Sequence, residues 1–589
     1  MIEYSEDKNV LTALTLAPQG RNWVEGSFHF WGEAEAPEGV SVSVSREKTA
    51  EGRLRETYIF KNETDAPLLL TGAGVWTTFN ENYDAAEKCR REKCHAHLWC
   101  GGTSSWVCAT AMDARPPHLG LILTKGSLET YKVERENNSN DRGDLCLLLS
   151  PASLAAGEEY VLSWELFEHR GDDFFDLLKE YPSYLDVSAD TFTFFPGEAP
   201  RVFIKGTETL LPEEPGYHTV QKDGAFFRYQ VLPPPRALAL ARCRFLAEYQ
   251  QETEGELAGA YLSYDNETNT RVYEENPNHN AGRERVGMGV LMARTLQASP
   301  DPVLHESLSR YADFVLREHF DEATGEVFNE LHRDNHRRRI YNNAWYASFF
   351  RELYRLEKDK RWLFCMVGAL KDLYAHGGKT FYPLALEATD AILCLREAGM
   401  TGEEETLLRL FAENAAHILE KGTDYPSIEV RYEDNIVIPA GMLLCQMAEL
   451  TGERKYRDGA LLHLEAHRAF THFQPDARMH GCSIHHWDDF WFGKRGLYGD
   501  TFPHYWSSAG SVFCARMGRL LSDDRLLCEA RAGLRSTLSG FFPDGRATCA
   551  IVTPASVNGV PGDFIDPWAN DQDWALYFAL TEEALVLAP

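Results

Sequence analysis

From Pro233-Pro234-Pro235 onward the apolar residues recur with the period of helices, and the helices are of two alternating kinds. Twelve candidates follow one another, opening with 236–251, 283–296, 302–318 and 341–356 and closing with 505–521, 523–538 and 570–580. Odd members carry their charge along one side, which suits an outer ring facing water. Even members are poor in charge, as in Val286-Gly287-Met288-Gly289-Val290-Leu291 and Trp506-Ser507-Ser508-Ala509-Gly510-Ser511-Val512. Helices of that second kind belong inside. Six hairpins, each pairing an outer with an inner helix, close into an (α/α)6 toroid.

Ahead of the proline break the period is two. Val40-Ser41-Val42-Ser43-Val44-Ser45 alternates strictly, and Arg55-Glu56-Thr57-Tyr58-Ile59-Phe60 follows the same style. Turn-forming clusters at 62–67 and 137–143 separate the runs. The expected fold is therefore an N-terminal antiparallel β-sandwich with its linker, residues 1–232, followed by an (α/α)6-barrel domain, residues 233–589.

Inner helices of such a toroid run parallel, so their N-termini open at one end, and the chemically rich segments lie there. They include 279–285, 341–346, 379–383, 429–435 and 566–574. The richest is His485-His486-Trp487-Asp488-Asp489-Phe490-Trp491-Phe492-Gly493-Lys494-Arg495, running on through Tyr498 and Asp500 to His504-Tyr505-Trp506. Carboxylates for proton transfer, aromatic faces for a sugar ring and cations for an anion are what a carbohydrate site needs. Capping of helices by Asp and Asn is the plainer role for Asp434 and Asn570. A net charge of -30 argues against nucleic acid and anionic membranes as partners. The expected partner is a uronic-acid-containing oligosaccharide, and an exposed sandwich edge or outer ring leaves room for a homo-oligomer. Residues 1–7 show neither region of a signal peptide, and thirteen cysteines fit a reducing, cytoplasmic setting.

Two reactions fit these residues. Hydrolysis needs a carboxylic acid and a second carboxylate, with Glu433 and Asp489 favoured and Glu284, Asp500 and Asp488 next. β-Elimination from a uronic acid needs a His or Tyr base, for which His485, His486, Tyr498 and Tyr505 are candidates. For either, Arg283, Arg285, Lys494 and Arg495 are candidates to hold a carboxylate, with Trp487, Trp491, Trp345, Tyr432, His504 and Asp573 completing the sugar site. No cofactor is expected. Cys94, His95, His97 and Cys100 have zinc-type donors, but the spacing is compact and alternate strand residues face opposite ways, so no metal is expected there either.

The segments 279–285, 432–433, 485–488, 498–507, 557–562 and 570–575 resemble those of the six-hairpin glycosidases. Within these the chain is most similar to the β-glucuronidases of glycoside hydrolase family 154. That resemblance implies a β-sandwich ahead of an (α/α)6 barrel and release of glucuronic acid. A uronate lyase on the same scaffold and a non-catalytic glycan-binding protein remain as alternatives.

Overall fold

The computed structural model describes residues 2–17, 20–273, 282, 285–427, 431–485, 493–497 and 499–588. Its N-terminal part is a sandwich of two six-stranded sheets. The first is antiparallel throughout, in the spatial order Val40–Lys48, Leu54–Asn62, Glu159–His169, His118–Lys125, Trp106–Ala111 and Cys94–Trp99. Alternation decides which face each residue takes: Leu54, Glu56, Tyr58 and Phe60 are fully buried while their neighbours are half exposed. The second sheet holds Leu128–Glu134, Asp144–Leu149, Gly74–Thr77 and Ala34–Glu35. It is extended by the hairpin Ser556–Val557 and Val560–Pro561, which lies far along the chain in the helical half and joins Leu128–Glu134 in parallel. The helical half thus contributes two strands to the sandwich. Residues 185–231 form a smaller β-module with its own core around Phe192, Val202 and Phe227.

Two short helices, α1 (Ala86–Glu92) and α2 (Phe174–Leu178), belong to the sandwich. The toroid then runs α3 (Pro235–Phe245), α4 (Val286–Ala298), α5 (Pro302–Glu318), α6 (Asn342–Glu357), α7 (Lys360–Ala375), α8 (Ala388–Ala398), α9 (Thr401–Lys421), α10 (Asp434–Thr451), α11 (Arg454–Phe470), α12 (Tyr505–Leu521), α13 (Asp524–Ser536) and α14 (Asp573–Thr581). The even helices form the inner ring, each packed on the next and α14 packed back on α4. Small residues permit this closeness: a Cβ at Gly289 would stand 3.0 Å from Phe349 of α6, and one at Gly441 would stand 2.3 Å from Phe513 of α12. The third inner helix starts only at Ala388, six residues after Tyr382. Pro383 disfavours helical backbone in the residue before it, and Ala385 takes a positive φ of 58°.

Inside the barrel, polar side chains from all six inner helices form one network, drawn from the start of α8 and from later turns of its neighbours. Arg351 and Arg355 of α6 pair with Glu387 at 2.5 Å and Asp390 at 2.6 Å, at the start of α8. Arg516 of α12 bridges Asp390 and Glu449 of α10. Arg294 of α4 reaches Glu352, and the Tyr577 hydroxyl of α14 donates to Glu387 at 2.9 Å. Replacing one member of a buried pair strands the other in low dielectric. Arg351→Met is therefore expected to cost about 3–5 kcal/mol, read as a lower urea midpoint with an unchanged m-value.

Candidate active site

At one end of the barrel the inner-helix N-termini bring together side chains from segments far apart in sequence. Glu433 is the N-cap of α10, in extended backbone, and its side chain is mostly buried. His485 approaches it from the loop ahead of α12, with Nδ1 3.2 Å from Glu433 Oε1. The His485 ring lies 4.2 Å from that of His504, the N-cap of α12, and 4.6 Å from Trp506. His504 Nδ1 accepts the Trp506 N–H at 3.4 Å, which puts the ring proton on Nε2. That nitrogen faces Asp571, ahead of α14, with Oδ2 4.0 Å away. Tyr505 packs beside His504 at 4.6 Å. Arg285, at the start of α4, is fully buried and donates to Asn570 Oδ1. A belt thus runs across the N-termini of four inner helices.

Environment sets the protonation of this belt. Burial, then the adjacent Asp434, pushes the Glu433 carboxyl up to about 8. Asp434 itself faces His467, whose Nδ1 is 3.0 Å from both carboxylate oxygens. Burial alone would lower His467, but Asp434 holds it well above the usual imidazole range. Burial, then His485, drives His504 well below that range, so it is neutral. The site therefore offers a carboxyl raised to about 8 beside two imidazoles in close, tilted contact.

No family model matches the chain, and no curated protein matches it. Among solved structures, the polysaccharide lyase BACCELL_00875 superposes with a TM-score of 0.93 at 30% identity, covering 99% of each chain. The chain belongs to the family of this polysaccharide lyase. A cellobiose 2-epimerase from Bacillus thermoamylovorans B4167 shares 12% identity over 59% of this chain and 97% of its own, with a TM-score of 0.40. An unsaturated glucuronyl hydrolase specific for heparin shares 12% over 59% and 96%, with a TM-score of 0.38.

Within this member of the lyase family, the residues expected from sequence divide into three groups. Glu433, His485, His504, Tyr505 and Arg285 are brought to the belt. Trp345, in the first turn of α6, lies 6.4 Å from Trp574 of α14 with the rings tilted, and Tyr432 lies beneath the sandwich against His95. Arg283, Glu284, His486, Trp487, Asp488, Asp489, Trp491 and Tyr498 lie outside the described residues.

The third group is committed elsewhere. Asp500, expected as an acid, accepts both arms of the Arg142 guanidinium at 3.0 and 2.8 Å and the Tyr131 hydroxyl at 2.8 Å. Asp573, expected at the sugar, is clamped by Arg242 of α3 at 2.7 and 3.0 Å, because the first residue of α14 turns outward. Lys494 binds Asp265 and Glu267 at 2.6 and 2.8 Å, and Arg495 pairs with the same Glu267. Neither cation can take a substrate carboxylate without giving up these acids.

Asp571 and the Asp434–His467 pair were not singled out from sequence. Two acids two residues apart look alike until the start of α14 is known, and Asp434 reads as a plain cap. In the Cys94–Trp99 strand, Cys94 enters the sandwich core while His95 and His97 face the helices. His97 Nε2 lies 3.0 Å from the Ala469 carbonyl, and His95 packs on Phe470 at 4.0 Å. The four donors do not converge. Among the described residues, only Glu330, Asp334 and His336 bring ligand atoms within 4.8 Å of one another, on the surface loop ahead of α6.

Proposed function

We propose that this protein cleaves uronic-acid-containing glycans by β-elimination. The observation that carries the reading is the Glu433–His485 contact beside neutral His504, at the mouth of the barrel in a chain 30% identical to a polysaccharide lyase. Elimination begins with removal of the proton on the carbon bearing the uronate carboxylate. His485 accepts that proton, and the Glu433 carboxylate on its other nitrogen stabilises the resulting imidazolium, as an acid partner does in any oriented His pair. The carbanion spreads its charge onto the substrate carboxylate. Helix N-termini and the Arg285 charge lie at that end of the barrel and favour an anion. The electron pair then forms the double bond as the glycosidic oxygen departs, taking a proton from Tyr505. These groups give a chain of net charge -30 a local field that suits an acidic sugar.

A glucuronide hydrolase of the family 154 type is the second reading. A carboxyl raised to about 8 is also a ready general acid for a leaving glycosidic oxygen. Products separate the two. Incubation with glucuronate-containing oligosaccharides is expected to generate an ultraviolet-absorbing unsaturated uronide, with no nitrophenol released from nitrophenyl β-D-glucuronide. Nitrophenol release without the unsaturated product would overturn the lyase reading. All thirteen cysteines are free thiols, which supports a reducing compartment, and the cytoplasm is part of this proposal.

A further inference from the structure

The loop 138–142 of the β-sandwich touches both chain segments that carry the Glu433–His485 pair. Toward Glu433, Asn140 Oδ1 accepts the backbone N–H of Arg431 at 3.2 Å, two residues before the carboxylate. The next residue, Tyr432, is fully buried, with its ring 6.5 Å from that of His95 and within 25° of parallel to it. The Tyr83 hydroxyl is 3.4 Å from His95 Nδ1, and the Tyr83 N–H donates to the Asn140 carbonyl at 2.7 Å.

Toward His485 the link is charged. Arg142, fully buried, forks onto both oxygens of Asp500. Its remaining arm donates to Glu81 and, at 2.7 Å, to the Ala96 carbonyl. Thr501, next in the chain to Asp500, donates its backbone N–H to the His485 carbonyl at 2.9 Å. Arg142 and Asn140 are two residues apart, so one turn contacts the segments of both halves of the pair. The turn lies in the sandwich, and the residues it holds lie in the toroid.

We infer that Arg142 and Asn140 are positioning residues, through which the β-sandwich sets the contact between Glu433 and His485. This rests on that pair being the working pair of the site. The sandwich is then part of the catalytic apparatus and not an appended module. A planar fork matters here because both Asp500 oxygens are engaged at once, which a lysine ammonium cannot reproduce.

The test is Arg142→Lys in the full chain, with Asn140→Ala as the milder second variant should the first fold poorly. Turnover is expected to fall by about 10–100-fold per folded molecule with little change in KM, since a displacement of roughly 1 Å is felt at this level. A second readout needs no substrate: the His485 imidazole is followed through its pH titration by NMR of histidine-labelled protein, assigned with His485→Gln. The His485 resonances, 3.2 Å from Glu433, also report the Glu433 carboxyl, whose inflection near pH 8 is expected to move downward as water reaches it. Failure of the lyase reading would silence the turnover arm in wild type but leave the titration arm intact, and a shift there still supports the inference. A lowered melting temperature with wild-type titration in both variants would overturn it, because Arg142 and Asn140 would then be structural only.

Discussion

Glu433→Gln is expected to lower turnover by about 10²–10⁴-fold and to abolish the pH dependence centred near 8. The sign follows from which form works. Below about pH 8 the Glu433 carboxyl is protonated and cannot stabilise an imidazolium on His485. Above it Glu433 is a carboxylate, His485 presents a basic nitrogen, and elimination speeds up. In the lyase reading kcat/KM therefore rises through about 8, whereas a hydrolase using Glu433 as its acid loses activity across the same interval. Glutamine keeps the hydrogen bond to His485 but not the charge, so binding of substrate should survive. A second contrast comes from leaving groups: a hydrolase lacking its acid still releases nitrophenol, which needs no protonation, while a lyase lacking the partner of its base gains nothing. A falling pH limb in wild type together with rescue by nitrophenyl substrate would sink the assignment of His485 as base.

The parts of this protein legible in the sequence are those governed by period. Strict alternation at 40–45 and the two kinds of helix after Pro235 are local consequences of burial, and they appear as the first sheet and the inner and outer rings. The site was legible as a place, because parallel inner helices must gather their N-termini. It was not legible as a set of roles. Asp500 and Asp573 resemble Glu433 in sequence, but each is saturated by an arginine hundreds of residues away, Arg142 and Arg242. Only tertiary pairing separates a carboxylate held by a guanidinium from one left to titrate. The same holds for residues 556–561, which sit among helical segments yet complete a sheet of the sandwich. The turn at 137–143 reads as simple punctuation, although its Asn140 and Arg142 face the segments of the site.

Acidification is expected to unfold the protein cooperatively at about pH 5–6, well above the range in which carboxylates titrate. Among the described residues nine histidines have pKa values pulled down by burial: His95, His97, His118, His169, His319, His463, His472, His480 and His504. His118, His319 and His480 fall to about 4, and His463 to about 3. Above about pH 6.5 none of them affects stability, because folded and unfolded chains hold them neutral alike. Below it the unfolded chain binds protons that the native chain refuses, and each group removes about 1.4 kcal/mol per pH unit. Glu81 and Glu433, both raised to about 8, act in the opposite sense by taking up protons in the native state, as do Asp141 and Asp566, which burial also raises, but these are four against nine. The loss over one pH unit is then on the order of 10 kcal/mol, comparable with the whole stability of a typical fold. Its location is specific. His97 and His472 stack at 5.0 Å, His472 meets Trp106 and Phe174, and His169 lies against Phe174, all where the sandwich meets the helices. Protonation there puts like charges into an apolar seam, so the two layers should part together. Tryptophan fluorescence and circular dichroism followed from pH 8 to 4 would show one coincident transition. His472→Gln, which keeps a polar group but cannot charge, should move that transition to lower pH. Unfolding only below pH 4, unaffected by this change, would assign acid lability to the carboxylates.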